Sequence, residues 1–176
     1  MKATISGRLN YIPDCVIKIP GAGEIKLDNL PEITDGKNAI YNQEAIIGRS
    51  FPLYTYSHSG DRTIGMQLHF FIVSPGDAER NLSYLRKLQS AVYPRDGSGS
   101  GTPYQPPPVC QIKCGQLLGI QDLCVVLQSY SVKFPTEVAW DEGTNCPFRF
   151  DVDTTWLTVY TTTDLPFQDR IVSSGR

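Results

Sequence analysis

The chain contains no apolar run near the roughly 20 residues needed to cross a bilayer as a helix. Its first fourteen residues, MKATISGRLNYIPD, lack the apolar centre of a signal peptide, so synthesis in the cytoplasm is expected, with the destination left open. An excess of one charge is missing too. With 16 Lys and Arg against 18 Asp and Glu, the net charge is −2. That offers no basic stripe for holding nucleic acid tightly. Closely spaced cysteines are absent: Cys15, Cys110, Cys114, Cys124 and Cys146 are scattered and odd in number, and histidines number only two. A secreted disulfide framework and a zinc site are therefore not expected. Cys110 and Cys114 on one strand would sit roughly 13 Å apart, too far to bond each other. Buried, reduced thiols are the preferred reading, with a cross-strand bond such as Cys114 to Cys124 left open.

Catalytic machinery is equally sparse. His58 lies in a turn-rich stretch near Asp61, and His69 on the polar side of a strand, yet no nucleophile elbow accompanies either. Asp151 and Asp153 alternate on one strand face without a third carboxylate to complete a metal site. The GSGSG tract lacks the Lys-Ser/Thr of a phosphate loop and opens no helix. Trp140, Trp156 and nine tyrosines serve as core and interface material in β proteins. No catalytic residue, metal or cofactor is assigned, and the chain is not expected to be an enzyme.

What the sequence does contain is an alternation of apolar and polar residues typical of strands, and one helix. SPGDAERNLSYLRKLQSAVYP combines Ser74 as a cap, Pro75 at the first helical position, and Asp77 and Glu79 at the positive end of the dipole. Ala78, Leu82, Leu85, Leu88 and Val92 recur at helical spacing, and Pro94 ends the run, so a helix is predicted over 75–93 with Leu82, Leu85 and Val92 on its core face. Before it, SFPLYTYS and RTIGMQLHFFIV flank HSGD, predicting a hairpin over 50–73 that turns at HSGD. Ile64, Met66, Leu68 and Phe70 face one side of its second arm, Gln67 and His69 the other. After the helix, RDGSGSGTPYQPPP reads as a long mobile loop that contacts something else, with Asp96, Gly97, Tyr104 and Pro106 as its assembly residues. VCQIKC and LCVVLQSYSVKF give another strand pair, and FRFDV with TWLTVYTTT one interrupted strand or two short ones. The expected fold is mainly β with one flanking helix: two packed antiparallel sheets or a closed barrel, with the helix over an edge or open face.

The stretch IIGRSFPLYTYSHSGDRTIGMQLHFFIV, the helix ending LRKLQSAVYP, the segment from PPPVCQIKCG to AWDEG and the closing PFRFDVDTTWLTV together resemble tail-tube-like baseplate proteins of contractile-tailed bacteriophages. The family includes tube-initiator and hub-proximal proteins that often carry LysM modules. The resemblance covers about 46–162, and no LysM module is expected after residue 162. It implies a domain over 46–162 flanked by an arm or short strands (1–45) and a tail (163–176). It further implies an antiparallel barrel or sandwich of the tail-tube type. In function it implies a virion structural protein that forms or caps a ring of the inner tube or hub. The implied partners are itself in a six-fold ring, tail-tube and baseplate hub or wedge proteins, and genomic DNA passing through without specific binding. No membrane partner is implied. Gln67 and Asp151 are the expected channel face. The alternative is a soluble carbohydrate- or ligand-binding β-sandwich module using Tyr54, Tyr56 and Tyr104.

Overall fold

The computed structural model describes residues 15–96, 104–115, 118 and 123–159. Its elements in chain order are β1 (Cys15–Ile19), β2 (Gly23–Lys26), β3 (Glu32–Glu44), β4 (Leu53–Phe71), α1 (Pro75–Val92), β5 (Arg95–Asp96), β6 (Tyr104–Gln105), β7 (Cys110–Cys114), β8 (Leu123–Lys133), β9 (Trp140–Asp141), β10 (Cys146–Pro147) and β11 (Arg149–Thr158). The fold is mainly antiparallel β with one helix. Seven strands form one sheet in the order β2-β1-β7-β8-β11-β4-β3, while β5–β6 and β9–β10 are separate two-stranded pairs. Residues 15–44 thus belong to the same sheet as the later strands.

Alternation builds the core. Cys15, Ile17, Ile19, Ile64, Met66, Leu68, Phe70, Ile112, Val125, Phe150, Val152 and Trp156 are all buried, every second residue along their strands. The even positions of β4 lie in the core as the sequence predicts. Helix α1 touches β8 in the middle of the order, β2 at one end and β4 near the other. One helix can reach strands that far apart only if the sheet curls around it. On the helix itself Leu88 and Ala91 are fully buried, Leu85 and Val92 pack partly against the core, and Leu82 is half-buried. At its N-terminus the Asp77 carboxylate accepts hydrogen bonds from the backbone N–H groups of Val73 and Ser74. Asp77 thereby satisfies two N–H groups at the helix start. Trp156 is completely buried, yet its indole N–H donates to Thr154 Oγ1 at 2.8 Å, and Thr154 in turn donates to the Met66 carbonyl at 3.0 Å. A buried polar group is thus satisfied without water.

Three expectations are corrected. The first concerns HSGD, which is not a turn: β4 runs unbroken from Leu53 to Phe71. The chain reverses instead between Glu44 and Leu53, where Arg49 N–H donates to the Ile46 carbonyl and Gly48 takes φ +90°. That is the glycine position of a type II turn. Glycine and small polar residues at 57–61 mark two bulges, since the β3–β4 register shifts between Lys37 and Ala39 and again between Ile40 and Tyr41. Gly60 lies beneath the Asn38 side chain, whose Oδ1 would be 2.0 Å from any added Cβ. The second concerns cysteine. Cys15 and Cys114 are not reduced thiols; they face each other in the β1–β7 register and form a disulfide across 99 residues of chain, while Cys110, Cys124 and Cys146 are free. The third concerns β11, which is continuous through Asp153 rather than interrupted, with a bulge only at Thr155/Trp156.

Candidate assembly surface

The β3–β4 hairpin extends well past the body of the molecule. Among the described residues strand β11 pairs with β4 only from Thr63 to Phe71, so within them Leu53–Arg62 has β3 as its single neighbouring strand. At about 3.3 Å per residue, those ten positions make a two-stranded ribbon of about 33 Å, tied at its base by the Arg62–Asp35 ion pair. Such a ribbon is marginal in water unless something covers it. Its surface is apolar all the same: Ile40, Tyr41, Ile46, Ile47, Phe51, Leu53, Tyr54 and Tyr56 are all exposed. The register puts Tyr41 beside Tyr56 and Gln43 beside Tyr54 on one face, with the Tyr41 and Tyr56 rings edge to face at 5.8 Å. Between residues 38 and 59 the only acid is Glu44 and the only Lys or Arg is Arg49. His58 sits on this ribbon beside the Ser57 hydroxyl at 3.1 Å rather than with Asp61.

Backbone edges are the second feature. Strands β2 and β3 end the seven-stranded sheet, so each presents a row of N–H and C=O groups with no strand beside it among the described residues.

The sheet face turned away from the core is polar. Gln67 stands between Glu32 and Asp153 in the register, and Asp151 between His69 and Lys133. Asp151 is nearly buried: His69 Nδ1 lies 2.6 Å from Oδ1, and Arg149 donates to both carboxylate oxygens. Burial pushes its carboxyl up, but the His69 and Arg149 hydrogen bonds outweigh that and hold it below the ordinary carboxylate value. The pair was invisible as a pair in the sequence, because its members are 82 residues apart and only register brings them together. With Arg149 as its third member it is an ion cluster, and a histidine–carboxylate pair needs a nucleophile to do acyl chemistry.

The sequence-predicted loop residues are spread out. Asp96 pairs with Tyr104 in the short β5–β6 ladder, Tyr104 and Pro106 are exposed, and Gly97 lies outside the described residues, as does the 163–176 tail. A cavity of about 260 Å³ lies between the helix start, β4 and the β2–β3 connection. Several of its polar groups are already engaged: Arg80 with Asp28 and Asp77, and Asn81 Nδ2 with the Phe71 carbonyl. Among the described residues no three His, Cys, Asp or Glu side chains group so as to hold a metal ion, and no helix is long and apolar enough to cross a membrane.

No family model matches the chain, and no curated protein sequence matches it. Among solved structures it is similar to a chain in the tail of an empty GTA particle with C6 symmetry, at 8% identity and TM-score 0.40, covering 84% of this chain and 92% of that one. It is also similar to a chain in the sheath–tube complex of an extracellular contractile injection system, PVC, in the extended state. That match has 9% identity and TM-score 0.36, covering 88% and 90%. Both likenesses are distant, and the functional reading comes from the ribbon and the sheet edges instead.

Proposed function

We propose that this chain is a structural subunit of a phage-type tail or baseplate, assembling with copies of itself into a ring of the inner tube or hub. The observation that carries this reading is the ribbon: ten residues of β4 with only β3 beside them among the described residues, in a hairpin that bears eight exposed large apolar side chains on its two strands and tip. An isolated monomer gains nothing from such an element, and a soluble protein rarely exposes so much contiguous apolar surface. Two sheet edges with no strand beside them among the described residues add the means for neighbouring sheets to continue into one another. In such a ring the polar sheet face with Gln67 and Asp151 lines the channel. Acids and cations mix on that face through Asp151, Asp153, Lys133 and Arg149, so it lets DNA slide rather than holding it. Six subunits per ring is the number the family resemblance implies.

A second reading, a carbohydrate-binding module, is favoured by one observation: Tyr41, Tyr54 and Tyr56 share one ribbon face and present ring surfaces to solvent. One experiment separates the two. Replacing residues 39–59 with a two-residue Asn-Gly turn should leave a folded monomer, because the body from Thr63 onward keeps its partners. Purified wild-type chain is expected to form rings by electron microscopy, and the shortened chain to stay monomeric and fail to enter particles. Normal incorporation of the shortened chain would overturn the ring reading. Saturable binding of an oligosaccharide by a monomeric wild type, lost in Tyr54→Ala, would install the second.

A further inference from the structure

Strands β1 and β2 form a hairpin closed within itself. Val16–Ile19 pair with Gly23–Lys26, and the Leu27 N–H donates to the Cys15 carbonyl. The turn is fastened by the Ala22 N–H on the Ile19 carbonyl, with Gly21 and Gly23 at φ +79° and +94°. This hairpin ends the sheet. Among the described residues β7 is the one other strand it pairs with, Cys15–Lys18 lying against Gln111–Cys114. The body is held by longer ladders, β4 meeting β11 from Phe71–Arg149 to Thr63–Leu157. Short edge ladders are the units that open first.

Holding the hairpin down is a near-balanced contest. Closure buries Ile17, Ile19, Ile25 and Leu27, and it also fixes the backbone of residues 15–27, an entropic cost of similar size. The exposed ties from α1, Lys87 Nζ to the Glu24 carbonyl at 3.0 Å and Arg80 to Asp28 at 2.6 Å, are weakened by solvent. One covalent bond decides the outcome, and it stands where the ladder would unzip. Cys15 is the first residue of β1 and Cys114 the last of β7, after which Gly115 turns the chain at φ +53°. Both cysteines are 2% exposed, so no reagent reaches either sulfur until that end lifts.

We propose that the β1–β2 hairpin is a redox-latched flap, opening from β7 as a unit when Cys15 and Cys114 are thiols and locked down by their disulfide. Closing the latch needs a small-molecule disulfide such as oxidised glutathione. With the end lifted, one cysteine thiolate attacks it and expels a glutathione thiolate. The other cysteine thiolate then attacks the protein sulfur of the mixed disulfide and expels the second. Two protein thiols become one disulfide, and one glutathione disulfide becomes two thiols. The latch is a property of the single chain. Its consequence rests on the ring reading: β2 is an end strand of the sheet, so only the latched chain offers a neighbour a fixed edge there, and ring formation follows oxidation.

The test uses full-length chains in a Cys124→Ser background, since Cys124 is exposed and would compete for reagent. Hydrogen exchange is followed by mass spectrometry in reduced and in oxidised glutathione. On reduction, peptides covering 15–27 should speed up on the order of tenfold or more beyond peptides covering 63–71 and 149–157. In the reduced protein a maleimide should label Cys15 and Cys114 well before the buried Cys146. Cys15→Ala with Cys114→Ala should exchange like the reduced chain in both buffers. Equal acceleration of flap and body would mean that the bond only stabilises the whole fold, and would overturn the proposal, as would no difference between the buffers. Rings seen by electron microscopy should form in oxidised and be lost in reduced glutathione. Equal rings in both would strike out the assembly consequence and leave ring formation standing. A flap that opens on reduction in a chain that never forms rings would uphold the latch and sink the ring reading.

Discussion

Leu68 and Gln67 are adjacent in β4 and face opposite sides of the sheet, which makes them a direct test of how side-chain burial supports this fold. Leu68 is 1% exposed, so Leu68→Asp places an unpaired carboxylate in the core at a cost of several kcal/mol, enough to unfold a domain of ordinary stability. Gln67→Lys puts a cation between Glu32 and Asp153 on the solvated face, and its melting temperature should stay within a few degrees of wild type. Equal losses by thermal melting would show that the register is wrong. Acid supplies a second residue-scale test. Asp35, held mainly by the Arg62 hydrogen bond, and Asp151, held by His69 and Arg149 against its burial, both lie below the ordinary value of 3.8. A depressed carboxylate contributes stability above its unfolded pKa and loses it as pH falls through the folded one. Stability should therefore hold down to about pH 4 and decline below it. Asp151→Asn should show a shallower decline by denaturant titration, and an unchanged slope would remove Asp151 from the acid response.

At the scale of elements, some of the structure was readable and some was not, for definite reasons. Helix α1 was legible because capping residues, period and stop signal agree, all between Ser74 and Pro94. The core face of β4 was legible because Ile64, Met66, Leu68 and Phe70 alternate without interruption. The turn was misread because His58, Ser59, Gly60 and Asp61 carry the residue types of a turn, whereas here they make a bulge under Asn38. Gly48, with Pro52 after it, held the true signal. Ribbon exposure was beyond reach, since apolar alternation says which residues share a face but not whether anything covers it. The Cys15–Cys114 bond was likewise hidden, because it depends on β1 pairing β7 across the sheet order. Closing 99 residues of chain, it should stabilise by about 2–4 kcal/mol, with a chain-entropy ceiling near 4.7. Cys15→Ser with Cys114→Ser should lower the melting temperature by several degrees, and reducing agent should do the same to wild type only. No effect of reductant on wild type would mean that the bond is not formed in solution.

For the whole molecule, the proposed ring poses the question of which face of the sheet would meet its channel. Both faces cannot: one is sealed by α1, and the other carries Gln67, Asp151, Asp153 and Lys133. Asp151 is a poor probe, because Asp151→Lys would break the His69 and Arg149 cluster and confuse folding with function. Gln67 is a clean one. In a ring of six, Gln67→Lys adds six positive charges at one level of the channel while leaving each subunit folded. Backbone phosphates passing that level would be held rather than released, with the hold weakening as salt rises and the Debye length shrinks from about 10 Å at 0.1 M. Particle numbers should then match wild type while infectious titre falls, and raising salt during infection should recover part of it. The His58→Gln variant is the control: it sits on the ribbon, far from this face, and should keep normal titre unless it is asked to move a proton. A Gln67→Lys phage with wild-type titre at low salt would place this face outside the channel and turn the ring inside out.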